Sequence, residues 1–190
     1  MALKILQGQA KDLSLVAPSS GTRPTSVLLR RKIFDAHQDM SDSVFIDCCA
    51  GTGAMGLEAA SRGASKVVLI EASRQAFSTL KKNSANLQKR MPEAYIELHA
   101  QTCQKWLEKN LEHWNSSQTI IFLDPPYEHK QTYFDVIRLF KECGRSGQLW
   151  LESDRQKGLL LPELEAPEVL GAAKRVYKQG TSFIALWSFG

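Results

Sequence analysis

The chain has 190 residues, 43% of them hydrophobic, and a formal net charge of +4. That length and apolar fraction suit one globular domain with its own core and exclude a disordered or fibrous chain. No apolar run approaches the roughly 18 residues that cross a bilayer, and the N-terminus lacks a leader's apolar core, so a cytoplasmic protein without membrane contact is expected.

Charge is unevenly spread. Residues 1–32 hold six cations against Asp12 alone, a surplus of +5, and the remainder sums to −1. A basic first sixth points to a polyanion contact there, the alternative being a solvated face. Leu3–Leu6 and Leu13–Val16 read as a short hairpin about Gly8, and Pro18–Gly21 as a connector. Thr22-Arg23-Pro24-Thr25-Ser26 then opens a helix, with Pro24 suited to its first turn. Leu29, Ile33 and Ala36 share the inner face of that helix and leave Arg30, Arg31 and Lys32 partly outward. The reading is a basic arm, 1–21, ahead of a domain, 22–190.

Val44-Phe45-Ile46 is an apolar run ending in Asp47, followed by the turn Cys48-Cys49-Ala50-Gly51-Thr52-Gly53 and a helix-prone segment from Gly56. Strand, tight turn, helix is an arrangement in which glycine backbone and free helix N–H groups approach a ligand. Two cofactors fit. Gly51-x-Gly53-x-x-Gly56 with Glu71 twenty positions on satisfies a dinucleotide fingerprint. S-adenosylmethionine uses the same geometry, and Asp47 favours it: a carboxylate there neutralises the ammonium of a methionine moiety but repels a pyrophosphate.

Further on, strand 66–70 and helix 73–88 (stripe Phe77, Leu80, Leu87) precede strand 95–98 and a helix at 102–113. Thr119–Leu123 is an apolar strand ending at Asp124-Pro125-Pro126-Tyr127. Helix 131–142 follows with Tyr133, Ile137 and Phe140 inward, then strand 148–152. Residues 168–178 and 181–189 read as two strands joined near Gly180. Repeated βα units closed by a hairpin predict an α/β fold: a Rossmann-like, doubly wound sheet, mostly parallel, with a C-terminal antiparallel hairpin and the N-terminal hairpin arm. The four cysteines, Cys48, Cys49, Cys103 and Cys143, form no C-x-x-C pair and no ligand-spaced cluster, so reduced thiols and no metal are expected. The four histidines are scattered and receive no catalytic role. Lys174, Arg175 and Lys178 are open to RNA contact or plain solvation.

In an open α/β sheet the ligand crevice lies at the carboxyl ends of the strands, which gathers Asp47, Glu71 and Asp124 on one rim. Asp124-Pro125-Pro126-Tyr127 offers a carboxylate, a carbonyl held by prolines that donate no hydrogen bond, and an aromatic face. Two acceptors and a stacking plane fit a planar base with an exocyclic amino group, whose delocalised lone pair must be freed before it attacks a methyl.

These motifs resemble the class I S-adenosylmethionine-dependent methyltransferases that modify amino groups of nucleobases. Thr22-Arg23-Pro24-Thr25, Ile33-Phe34-Asp35 and Phe45 through Ala59 are more narrowly similar to the bacterial RsmD family, over nearly the whole chain. That resemblance implies methylation of N2 of a guanine in 16S ribosomal RNA, with the RNA or the small ribosomal subunit as partner and a monomer as the working unit. It implies that Asp47, Ala50, Gly51, Thr52 and Gly53 hold the methionine end, Glu71 the ribose, and Asp124, Pro125, Pro126 and Tyr127 the guanine. Arg23 and Thr25 border the site near the RNA, joined by Arg30 and Arg31. Thr102-Cys103 stands where the family usually has an acid or Asn, then Ala, at the adenine edge. The rivals are an amino-methyltransferase of tRNA or of adenine in DNA, a non-catalytic ribosome assembly factor, and a nicotinamide enzyme.

Overall fold

The computed structural model describes residues 3–17, 26–110, 116–142 and 146–190. Arg23 and Thr25, with the expected helix start around them, lie outside the described residues, as does Cys143. In chain order the elements are α1 (Val27–Ala36), β1 (Val44–Asp47), α2 (Ala54–Ser61), β2 (Lys66–Ile70), α3 (Arg74–Arg90), β3 (Ile96–His99), α4 (Cys103–Asn110), β4 (Thr119–Leu123), α5 (Lys130–Glu142), β5 (Gly147–Asp154), α6 (Leu161–Leu164), β6 (Arg175–Gln179) and β7 (Ser182–Phe189).

The strands form one sheet in the order β3-β2-β1-β4-β5-β7-β6. Neighbours are parallel from β3 through β5, and β7 runs antiparallel to both β5 and β6. This is the Rossmann-like sheet with a closing hairpin that the βα rhythm predicts. Alternate side chains of a strand leave by opposite faces, so an uninterrupted apolar run needs cover on both. Phe45, Val67, Leu69, Ile120 and Phe122 meet the layer of α1, α2 and α3. Ile46, Val68, Ile70, Ile121 and Leu123 meet α4, α5 and α6. Among the described residues no helix is long and apolar enough to cross a membrane.

Some boundaries differ from the sequence reading for identifiable reasons. β5 runs on to Asp154 because β7 pairs along its whole length, from Gly147↔Phe189 to Asp154↔Ser182. β6 starts only at Arg175: the amides of Val169, Leu170 and Gly171 all turn back to the Ala166 carbonyl, which no strand permits. α6 is a single turn, held by Glu163 accepting from the Leu160 amide at 2.6 Å, too short to print a helical period.

The arm carries an isolated Lys4↔Ser14 bridge, and its Leu3, Ile5, Ala10 and Leu15 enter the core beneath α1 and α2. Its backbone turn is held by the buried Glu58 of α2, which accepts from the Leu6 amide (2.7 Å) and the Gln7 amide (3.1 Å). This docking corrects one sequence expectation. Arg30 is not an outward RNA contact but fully buried, its guanidinium donating to the carbonyls of Ala54 and Lys4. A guanidinium carries five N–H donors, so it can serve carbonyls of two separate segments, and this draws it inward. Glu58 and Arg62, paired at 2.8 Å, complete a buried ionic group, and Arg62 also donates to the Phe34 carbonyl. The inner face of α1 consequently shifts to Leu29, Arg30, Ile33 and Phe34, and Ala36 is exposed. Removing Arg30 keeps the Glu58–Arg62 pair but leaves the carbonyls of Ala54 and Lys4 without their donor. We expect Arg30→Ala to lower the unfolding free energy by roughly 2–6 kcal/mol, at about 1–3 kcal/mol for each unsatisfied group, read by urea denaturation; a loss of RNA affinity at unchanged stability would contradict the assignment.

Candidate cofactor and base site

β2, β1 and β4 are parallel neighbours, and in register Asp47 lies opposite Leu69 and Phe122. Glu71 and Asp124 each stand two residues past those partners, so all three carboxylates leave the sheet on one rim. The turn after β1 folds back across it: Cys48 N–H donates to Phe122 O (2.9 Å), Ala50 N–H to Ile70 O (2.9 Å) and Gly53 N–H to Ala50 O (2.6 Å). Gly53, capping α2, has φ 84°, a left-handed conformation that a side chain would strain. Gly56 serves packing instead. A Cβ there would sit 2.2 Å from Leu69 Cδ2, so its absence lets α2 lie directly on β2.

Asp47 is 1% exposed. Its Oδ2 accepts from the Gly56 amide in the first turn of α2 (3.2 Å), while Oδ1 is buried with no hydrogen-bond partner. Burial pushes its pKa up to about 8 against the pull of the Gly56 amide and, more weakly, of the nearby Cys49 amide, and the carboxylates of Asp124 and Glu71 add to the rise. A buried acceptor with an unused lone pair is expensive unless something donates to it. The ammonium of a methionine moiety is such a donor, and a pyrophosphate is not. This donor set fits S-adenosylmethionine.

Glu71 is half-buried and holds the turn from the other side, accepting from Gly51 N–H (2.8 Å) and Ser73 N–H (2.7 Å). A carboxylate has about four lone-pair sites, so two remain for ribose hydroxyls. Thr52 and Ala50 are buried under the turn. Thr102 is exposed just ahead of α4, accepting at its carbonyl from Trp106, while Cys103 is buried. Cys49 hydrogen-bonds to Cys103, which holds the Cys103 thiol below its usual range and raises that of Cys49; Cys48 is pushed up by burial. These thiols pack beneath the turn, and among the described residues no cluster of His, Cys, Asp and Glu could hold a metal ion.

Asn83 was not singled out by the sequence reading, yet it braces the turn. Fully buried in α3, it donates to Thr52 O (2.9 Å) and exchanges hydrogen bonds with the backbone of Val16 (2.7 and 3.2 Å). Its signal is positional: it falls on the apolar stripe of α3 between Leu80 and Leu87, where a polar side chain has to be bonded.

On β4 the loop begins with Asp124, half-buried and close enough to raise the pKa of Asp47, Tyr127 and Tyr133. The cofactor turn and the Asp-Pro-Pro-Tyr loop therefore stand next to each other on the same rim of the sheet. Pro125 is buried and Pro126 exposed. Tyr133 of α5 places its hydroxyl 2.9 Å from Glu152 O and 3.5 Å from Pro125 O. One proton goes to the nearer carbonyl, which leaves Pro125 O able to accept from a ligand. Tyr127 is half-buried, its hydroxyl within hydrogen-bonding reach of Ser182; burial and the Asp124 carboxylate push its pKa up to about 12, so it stays a neutral phenol.

Comparison with known proteins agrees with this geometry. The "Ribosomal RNA small subunit methyltransferase D" of Buchnera aphidicola is 31% identical over 146 residues, 74% of this chain and 72% of that protein. The structure of the candidate methyltransferase yhhF of Escherichia coli superposes with a TM-score of 0.77 at 25% identity, covering 100% of this chain and 98% of that one. An RNA methyltransferase of Salinibacter ruber, solved with S-adenosyl-L-homocysteine, shares the fold at a TM-score of 0.57 and 12% identity, over 88% of this chain and 94% of that one. The family model described as "Conserved hypothetical protein 95" matches residues 3–181, and the chain belongs to that family, the one of the RsmD-type methyltransferases.

Proposed function

We propose that this protein transfers a methyl group from S-adenosylmethionine to N2 of a guanine in 16S ribosomal RNA, working in the cytoplasm as a monomer. The observation that carries the reading is the buried Oδ1 of Asp47, without a hydrogen-bond partner, on the rim of the sheet beside Asp124. Support for the RNA target comes from the relatives named above.

S-adenosylmethionine supplies an electrophilic methyl on a sulfonium. Asp47 and the Gly51–Gly53 backbone hold the methionine end, Glu71 the ribose, and Thr102-Cys103 borders the adenine. Asp124 and the Pro125 carbonyl each accept one N–H of the guanine amino group. With both hydrogens held, the nitrogen pyramidalises and its lone pair leaves conjugation with the ring. Asp124 also opposes the positive charge that develops on that nitrogen as the new C–N bond forms and the methyl–sulfur bond breaks to leave neutral S-adenosylhomocysteine, and the methylated nitrogen then loses one proton through Asp124 to solvent. Tyr127 stacks on the base, which has to leave its own stack first, and Pro126 keeps the loop stiff. Arg23 and Thr25 are assigned to RNA contact by the family resemblance of their sequence alone.

The test is labelled-methyl transfer to small subunits from cells lacking the gene, followed by mass mapping of the nucleosides. The expected product is one N2-methylguanosine in 16S RNA. Label on adenine or in tRNA would overturn the target; RNA binding without transfer would leave an assembly factor; NADH binding with indifference to S-adenosylmethionine would overturn the chemistry.

A further inference from the structure

With Arg30 buried, the exposed cations of α1 need another account. Arg31 and Lys32 are exposed, and α1 lies against β6, the edge strand of the sheet. Lys32 Nζ donates to Lys178 O at 2.7 Å, tying the helix to the strand. β6 and its flanks carry exposed Lys174, Arg175 and Lys178, and no carboxylate occurs from 172 to 181. Arg175, in register with Leu186, leaves β6 on the α1 face, and Lys178, in register with Phe183, on the opposite one, so the cations flank the free edge of the strand from both sides. Arg155, just past β5, donates to Gly180 O (2.8 Å) and so stands beside the β6–β7 turn. The neighbouring acids offset only part of this charge. Asp154 is buried under hydrogen bonds from Thr181, Ser182, Gln156 and Lys157. Asp35, one turn along α1 from Arg31 and Lys32, offsets one of these cations and leaves the rest.

This strip reaches the Asp-Pro-Pro-Tyr loop. Ser182, first residue of β7, is the hydroxyl within reach of Tyr127, and Asp154 pairs with Ser182 across the sheet. The turn at Gly180 therefore borders the place where a base would stack. Edge strands often carry a lysine to block strand addition, but that accounts for Lys178 and not for cations on α1 and after β5.

We propose that the free edge of β6, bounded by α1 and the Gly180 turn, is the track on which the RNA strand flanking the target nucleotide lies, its phosphates against Arg31, Arg155, Arg175 and Lys178. The proposal rests on the RNA methyltransferase reading above and adds where the substrate runs: across the hairpin edge of the sheet, away from the α3 side.

The experiment compares two triple variants of equal charge change. One is Arg31→Gln, Arg175→Gln and Lys178→Gln on the track. The other is Lys82→Gln, Lys89→Gln and Arg90→Gln, exposed on α3. Binding of a 16S ribosomal RNA fragment is measured from 50 to 200 mM salt, with S-adenosylhomocysteine affinity and melting temperature alongside. The track variant should lose at least 10-fold in RNA affinity near physiological salt, and its log–log salt slope should fall in magnitude by about 2, given about 0.7–0.9 per phosphate contact. The α3 variant should stay within about 2-fold of wild type, since phosphate contacts are what set this slope. Cofactor affinity should be unchanged in both. Equal losses in the two variants, or an undiminished slope in the track variant, would overturn the track while wild-type methyl transfer still upheld the enzyme. A wild-type protein that neither binds nor methylates the RNA would remove the reading on which the track rests.

Discussion

Asp124→Ala is expected to reduce methyl transfer by at least 10²–10³-fold, the scale for removing one preorganised group that stabilises developing charge, while S-adenosylhomocysteine still binds. The separation follows from the rim. Asp47 and Asp124 leave neighbouring strands on one rim, but the helix N-terminus and glycine turn gather around Asp47, and the prolines, Tyr127 and Tyr133 around Asp124. The variant also removes a like charge that raises the pKa of Asp47. Cofactor affinity should therefore hold or rise slightly, and kcat should fall with little change in binding, the pattern of a group that acts mainly in the transition state. Single-turnover transfer with labelled cofactor and calorimetry with S-adenosylhomocysteine measure the two effects. Transfer above about a tenth of wild type, against the expected scale, or a collapse of cofactor affinity, would reverse the roles assigned to the two loops.

The site was legible because its carboxylates directly follow apolar runs. Val44–Ile46, Val67–Ile70 and Ile120–Leu123 can be read as strands without knowing their partners, and the residue after each run is carried to the sheet's rim by backbone geometry alone. What stayed hidden was set by contacts distant in sequence. Arg30 looks like a surface cation on a helical wheel. It is buried because Lys4, 26 residues before it, and Ala54, 24 after, present carbonyls that need a donor. Asn83 reaches Val16 across 67 residues. The extra length of β5 depends on β7, which the chain adds only after α6 and β6. The basic N-terminal charge was legible as a sum but not as a surface: the fold withdraws one of its cations and sets Arg31 and Lys32 beside the cations of β6, more than a hundred residues on.

Asp47→Asn should stabilise the cofactor-free protein and weaken cofactor binding, and both effects follow from one buried carboxyl. Its pKa stands at 3.8 in the reference state and about 8 in the fold. Between those values the native state keeps a proton that the unfolded chain has released, so this group's contribution to stability is full below about pH 4 and falls as pH rises towards 8. The asparagine side chain has no such dependence. Its advantage in melting temperature over wild type should be small at pH 4–5 and largest at pH 8. The same carboxyl has to ionise to pair with a cofactor ammonium, so wild-type binding at pH 7 should release close to one proton, measured by calorimetry in buffers of different ionisation enthalpy. The variant should release none from this site, and its affinity should fall by roughly 10–100-fold, the equivalent of about 1.5–3 kcal/mol for a charge-assisted hydrogen bond. A variant that melts lower than wild type at pH 8, or that binds S-adenosylmethionine as tightly, would mean that the buried oxygen of Asp47 is satisfied within the fold and does not await a ligand.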